Sequence, residues 1–252
     1  MEECLLEIQD RQQLIALQFY LKDFFQKVSG GYYNYNHYKV LKDKILKSKA
    51  TACVVNFNYD TLFENSIGGS KWEEIDHYIR GNIKVVKVHG SCNWSYVLKK
   101  DVEDDNRYGI SDSYEYLKEY PATVLQNMYH DKRIAQSSST SSIHQFPVIA
   151  IPTFNTKQFF CPDHHISELK VAMHQIDRVL IIGWKAGDIH LIKMMEDNIT
   201  QPVAIAVVGG SRAGIKEVRD KLSNIKNATF SMEVVGFSNF IKSKECTTFF
   251  GV

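Results

Sequence analysis

Two short apolar runs, "RVLIIG" at 178–183 and "PVAIAVV" at 202–208, stand either side of a helical pattern, and this order limits the fold more than any other feature of the chain. Both runs are nearly continuous rather than alternating, which suits strands covered on both faces, as in parallel sheets. Ile189, Ile192, Met195 and Ile199 fit one face of the helix between them. Ile166, Leu169, Met173 and Ile176 do the same for the helix before, and Ile215, Val218 and Leu222 for the helix that starts at Ser211. Similar apolar runs at "TACVVNF" (51–57), "IKVVKVH" (83–89) and "FPVIAI" (146–151) predict further strands, and "FSMEVVGF" (230–237) predicts a last one at a sheet edge. Strand and helix alternate, so the expected class is α/β, a Rossmann-like, doubly wound, mostly parallel sheet.

Residues 5–28 place Leu14, Leu17, Leu21, Phe24, Phe25 and Val28 at helical spacing before Ser29, Gly30 and Gly31 break it. A second helix is expected around Tyr38 to Leu46, with Leu41 and Ile45 inward. Residues 95–145, rich in Lys, Asp, Ser and Tyr and ending in "QSSSTSSIHQ", read as an inserted, partly mobile surface segment within a single domain spanning 1–252.

The 44% hydrophobic and 23% charged content is ordinary for a globular protein. The net charge of +1, with its cations scattered among acids, gives no electrostatic footprint for nucleic acid. "MEECLLEIQDRQQ" is neither a signal peptide nor a membrane span, so the cytoplasm is the expected location. The five cysteines, Cys4, Cys53, Cys92, Cys161 and Cys246, are odd in number and contain no Cys-x-x-Cys pair. Reduced thiols are expected, without a disulfide framework or zinc knuckle.

The polar residues that interrupt this scaffold are the candidates for chemistry. In "ACVVNFNYDTLFENS" (52–66) a buried strand stops in Asn56, Phe57, Asn58, Tyr59 and Asp60, where carboxyl ends of strands and amino ends of helices converge on ligands. Thr61 and Glu64 form a Thr-x-x-Glu capping-box pattern, and Asp60 suits a helix dipole. Neither accounts for Asn56 and Asn58, whose amides suit sugar hydroxyls or an oriented water. "KVVKVHGSCNW" (85–94) delivers His89 at a second strand end, where an imidazole can serve as general base, with Gly90 freeing the backbone to turn or approach a ligand.

Gly183 ends the strand of "VLIIGWKAGDIH" and Asp188 opens the next helix, while "AVVGGSRAG" makes a glycine-bearing turn ending in Ser211; both turns suit nucleotide contacts through backbone N–H groups. A hydrolase-type nucleophile at Ser211 fails because the last histidine, His190, precedes it. Cys161, His164 and His165 in "CPDHH" lack a fourth metal ligand at useful spacing, so a capped helix start near Asp163 is the plainer reading.

Taken together, "NFNYDTLFE", "KVHGSCNW", "IPTFNTKQFF" and "VLIIGWKAGDIHLIKMM" resemble the ordered motifs of the bacterial sirtuin-like family, particularly the NAD-consuming sirtuin-like domains of antiphage defence systems, across residues 50–210. The resemblance implies a sirtuin-like, DHS-like NAD-binding fold with a helical or loop insertion, and NAD as substrate. By position it implies Asn58 as the residue orienting water and ribose, His89 as the catalytic histidine and Asp60 as support for the nicotinamide side. Asn56, Phe57, Gly90, Gly183, Trp184, Asp188 and Gly209 would line the nucleotide. The implied activity is NAD glycohydrolysis to nicotinamide and ADP-ribose in an NAD-depleting defence effector, working as a homo-oligomer or with a partner protein.

Two departures accompany it. The four-cysteine zinc module of sirtuin deacylases is absent, so no zinc and no peptide deacylation are expected. The family also begins with a strand and a Gly-Ala-Gly-type loop that cradles the NAD diphosphate, whereas this chain opens in a helical pattern. The alternative expectation is therefore a catalytically silent nucleotide-binding or scaffold subunit.

Overall fold

Apolar runs that need cover on both faces dictate where the helices go, and the computed structural model follows that demand within two compact units. It describes residues 11–30, 37–68, 74–97, 134–136, 145–151 and 159–252. One unit comprises residues 1–33, 54–80 and 85–165, and the other residues 34–53, 81–84 and 166–252. Most of the expected insertion at 95–145 lies outside the described residues, as does most of "IPTFNTKQFF".

Helix α1 (Arg11–Gly30) belongs to the first unit and helix α2 (His37–Lys47) to the second. Strand β1 (Ala52–Val55) leads to helix α3 (Leu62–Gly68), a 3-10 turn (Ile75–Ile79) and strand β2 (Ile83–Val86), which pairs with β1. A three-stranded antiparallel sheet then forms from β3 (Gly90–Val97) flanked by β4 (Ile134–Gln136) and β5 (Gln145–Ile149). Its middle strand, "GSCNWSYV", alternates Cys92, Trp94 and Tyr96 with polar residues instead of forming a continuous apolar run, and "FPVIAI" pairs antiparallel to it rather than joining a parallel sheet.

Packing in the first unit keeps Leu17, Leu21, Phe25 and Val28 of α1 half-buried but departs from the expected face at Phe24. Its apolar spacing favours Phe24 as an inward residue, yet Phe24 is exposed and stacks on exposed Tyr20, while Gln18 and Lys22 are buried. The reason is hydrogen-bonding demand at the sheet. Gln18 Nε2 donates to the Ile149 carbonyl at 2.7 Å, Lys22 Nζ to Ser95 Oγ at 3.1 Å and Gln26 Nε2 to the Cys92 carbonyl at 2.9 Å. Spaced by four, these three residues form one stripe along the helix. Elsewhere in this unit Tyr78, Val85, Val86, Val88, Trp94, Val148 and Ile149 are sealed from solvent.

The second unit realises the expected strand–helix alternation. Helix α4 (Asp163–Met173) runs into it, followed by β6 (Arg178–Ile182), α5 (Ile189–Asn198), β7 (Val203–Gly209), α6 (Arg212–Lys221) and β8 (Ala228–Val235). The sheet is parallel in the order β6-β7-β8. Central β7 buries Val203, Ile205, Ala206, Val207 and Val208, as a strand with neighbours on both sides must. The final run is β8, which alternates between half-buried and exposed residues and pairs with β7, matching its expected edge position. Short helices α7 (Phe237–Lys242) and α8 (Lys244–Phe250) pack on α2, where Lys44 Nζ donates to Thr247 Oγ1 at 2.9 Å. None of the described helices is long and apolar enough to cross a membrane.

Candidate active site

The turn after β1 is built by its own amides. Asn56 N–H still bonds to the Val86 carbonyl at 2.9 Å, and its Oδ1 then accepts from Asn58 N–H at 3.0 Å, folding the chain back at once. Asp60 Oδ1 accepts from Leu62 N–H at 3.0 Å and so opens α3, as its place in the sequence suggests. The expected capping box does not form. Thr61 N–H donates instead to Ser29 Oγ at 2.9 Å, and Glu64 turns inward.

Glu64 meets Lys87, and both side chains are 0% exposed. Glu64 Oε1 lies 2.7 Å from Lys87 Nζ, its Oε2 accepts from Asn56 Nδ2 at 3.4 Å, and Lys87 Nζ also donates to the Asp60 carbonyl. Burial pushes the Glu64 carboxyl upward from its ordinary range, and the neighbouring ammonium opposes that shift. Removing one partner of such a pair costs about 3–5 kcal/mol, whereas replacing both with apolar groups is often neutral or stabilising. Sequence reasoning missed Lys87 and gave Glu64 a capping role instead of this one. Lys87 stands in an apolar strand run and Glu64 in a helix start, and no local pattern joins them.

His89 follows β2 and is half-buried. The Phe57 ring meets its imidazole edge-on, with centroids 5.3 Å apart, so the tip of the first turn touches the second strand end. Asn58, next along the chain, is exposed. The His89 carbonyl accepts from Ala150 N–H at 2.9 Å. Tyr59 ties the same turn down: its hydroxyl donates to the Ala150 carbonyl, and its own carbonyl accepts from Cys92 N–H at 2.9 Å. Gly90 has φ +84°, and a Cβ there would sit 1.9 Å from the Val148 carbonyl oxygen. The close approach that requires a glycine is therefore to β5, which answers the expectation of a sharp turn with a protein neighbour.

The other candidates lie in the second unit. Gly183 has φ +67°, and its N–H donates to the Val208 carbonyl at 2.9 Å. Trp184 is half-buried, and Asp188 caps α5, its Oδ1 accepting from Leu191 N–H at 3.0 Å. Between them Ala186 is buried at φ +49°, a left-handed conformation that costs a residue with a Cβ about 1–2 kcal/mol. Sequence reading passed over this alanine, whose neighbour Gly187 was the available signal. At Gly209 a Cβ would approach Ile215 Cγ1 to 2.7 Å, so this glycine allows close packing of β7 against α6. Asn56, Phe57, Asn58, Asp60, His89 and Gly90 thus belong to one unit, and Gly183, Trp184, Asp188 and Gly209 to the other.

The arrangement belongs to a class: an α/β protein in which polar turns follow strand ends, with an amide-bearing turn held against a histidine. No family model matches the chain, and no curated protein matches it significantly. Among solved structures it is similar to one described as the structural basis for sirtuin substrate affinity, at 14% identity and TM-score 0.46, covering 98% of this chain and 88% of that one. A second similar structure is Sir2Tm bound to a propionylated peptide, at 13% identity and TM-score 0.44, covering 96% and 84% respectively.

Among the described residues no group of three or more His, Cys, Asp and Glu is arranged to hold a metal ion. Cys53, Cys92, Cys161 and Cys246 are free thiols.

Proposed function

We propose that this chain is an NAD glycohydrolase, releasing nicotinamide and ADP-ribose. The observation that carries the reading is the contact of Phe57 with His89, which brings an amide-rich turn to a strand-end imidazole within one unit. Such a pairing suits glycosidic cleavage from a cationic leaving group, where no strong acid is needed. The bond from C1′ of the ribose to the pyridinium nitrogen breaks, its electron pair neutralising nicotinamide. Water forms the new bond to C1′ and gives its proton to His89. Asn58 holds the water and the ribose hydroxyls, and Asp60 supports the nicotinamide side. The turns at Gly183–Asp188 and Gly209 are the nucleotide-lining segments of the same reading. Zinc and peptide deacylation have no part in it.

In a cell such chemistry would deplete NAD, as expected of an antiphage defence effector in the cytoplasm, acting as an oligomer or with a partner protein. The test is nicotinamide release from NAD by the purified chain, with Asn58→Ala and His89→Ala each lowering turnover by about 100-fold or more. Turnover unaffected by both substitutions would remove the site assignment. Heat from ADP-ribose titration without nicotinamide release would instead identify a nucleotide-binding subunit without turnover.

A further inference from the structure

The buried charges beneath the turn have a connectivity that a simple packing role does not require. Both ends of the Lys87–Glu64 pair reach back into one five-residue segment: Lys87 Nζ donates to the Asp60 carbonyl, and Glu64 Oε2 accepts from Asn56 Nδ2. Asn56 in turn holds Asn58 N–H on its Oδ1. The links therefore run from Asp60 through Lys87, Glu64 and Asn56 to Asn58, starting and finishing in the turn. A pair serving to join α3 to the end of β2 would need neither contact.

We propose that Lys87 and Glu64 are positioning residues that fix the Asn56–Asp60 turn, and with it the Asn58 amide, for NAD cleavage. This rests on the NAD-cleaving reading above. Both side chains of the pair are sealed from solvent, and they meet half-buried Asn56 and Asp60 in the turn. The pair therefore favours one hydrogen-bonded arrangement of the turn over hydrated alternatives. Buried ion pairs contribute little net stability against apolar replacements, so the geometry this pair imposes on the turn is its more useful effect.

The experiment compares the full chain with two double variants. In Glu64→Leu with Lys87→Met the charges go together, and both links to the turn are lost. In Glu64→Lys with Lys87→Glu an ion pair remains possible, but a carboxylate at position 87 cannot donate to the Asp60 carbonyl, and an ammonium at position 64 cannot accept from the Asn56 amide. Both variants are expected to keep a cooperative thermal transition and to lose turnover through kcat, by about 100-fold, with KM changed less than about threefold. Amide exchange of Asn58, followed by NMR, should accelerate about tenfold in both, while amides of β6–β8 stay unchanged.

Full turnover and unchanged Asn58 exchange in a folded double variant would overturn the proposal. So would loss of the folded state in the apolar variant, because the pair would then be holding the fold. A wild-type chain that releases no nicotinamide removes the NAD reading instead, and the Asn58 exchange rates still decide whether the pair braces the turn.

Discussion

His165 shows how far one buried residue can tie stability to pH. Its Nε2 bonds to the Ile75 carbonyl at 3.1 Å, and its ring packs among Tyr78, Trp94 and His164 with no solvent exposure. Burial lowers its pKa to about 4, so the folded chain keeps the ring neutral where an unfolded chain would protonate it. The associated stability is complete above the unfolded value of about 6.5 and is lost progressively as pH falls from there to about 4. Over that window the loss is on the order of 3 kcal/mol. Thermal unfolding at pH 7.5 and 5 should therefore separate more widely in the wild type than in His165→Gln, which cannot take up the proton. Equal separations would mean that His165 does not govern the acid limb.

At the scale of elements, Asp188 combines a cap with a proposed nucleotide contact, and substitution can part the two. Asn is as good an N-cap as Asp, so Asp188→Asn should leave unfolding in urea unchanged, while Asp188→Ala should lower stability by about 1 kcal/mol. A fall in NAD affinity confined to the loss of charge would then belong to the ligand rather than to α5. Which elements the sequence reveals follows from the same local physics. The strands β6 and β7 and the helices α5 and α6 were legible because periodicity and turn residues agreed over "RVLIIG" through "SRAGIKEV". The strand β3 was not legible, since Gly90, Ser91 and Asn93 have poor strand propensity, and the strand is held by partners far along the chain, as where Gly90 pairs with Ile149 and Ser95 with Pro147 of β5. The buried polar stripe of α1 was hidden for a related reason. Its Gln18 and Lys22 are buried to satisfy carbonyl and hydroxyl acceptors that only the folded sheet supplies.

For the whole molecule, the described thiols offer a measure of how tightly each unit is closed. Cys92, Cys161 and Cys246 are buried; burial raises all three thiols, carrying Cys161 to about 12. Half-buried Cys53 is pushed up to about 11, first by burial and then by the nearby Glu168 carboxylate. Alkylation at pH 8 in native buffer should run at least about 100-fold slower at the three buried cysteines than at a free thiol. Fast labelling at Cys92 or Cys161 would show the first unit opening, and at Cys246 the second. The candidate site divides by the same logic of local against long-range information. Asn58, Asp60 and His89 announce themselves as polar residues ending apolar runs, whereas Glu64 and Lys87 are 23 positions apart and acquire meaning only when the fold brings them together.

The exposed pairs Lys193–Asp197 and Lys221–Glu217 stand in solvent, where dissolved ions weaken such attractions. No counter-ion can reach the sealed pair beneath residues 56–60. Shifts in ionic strength would thus loosen the rim of the protein while leaving the shape of that turn as it was.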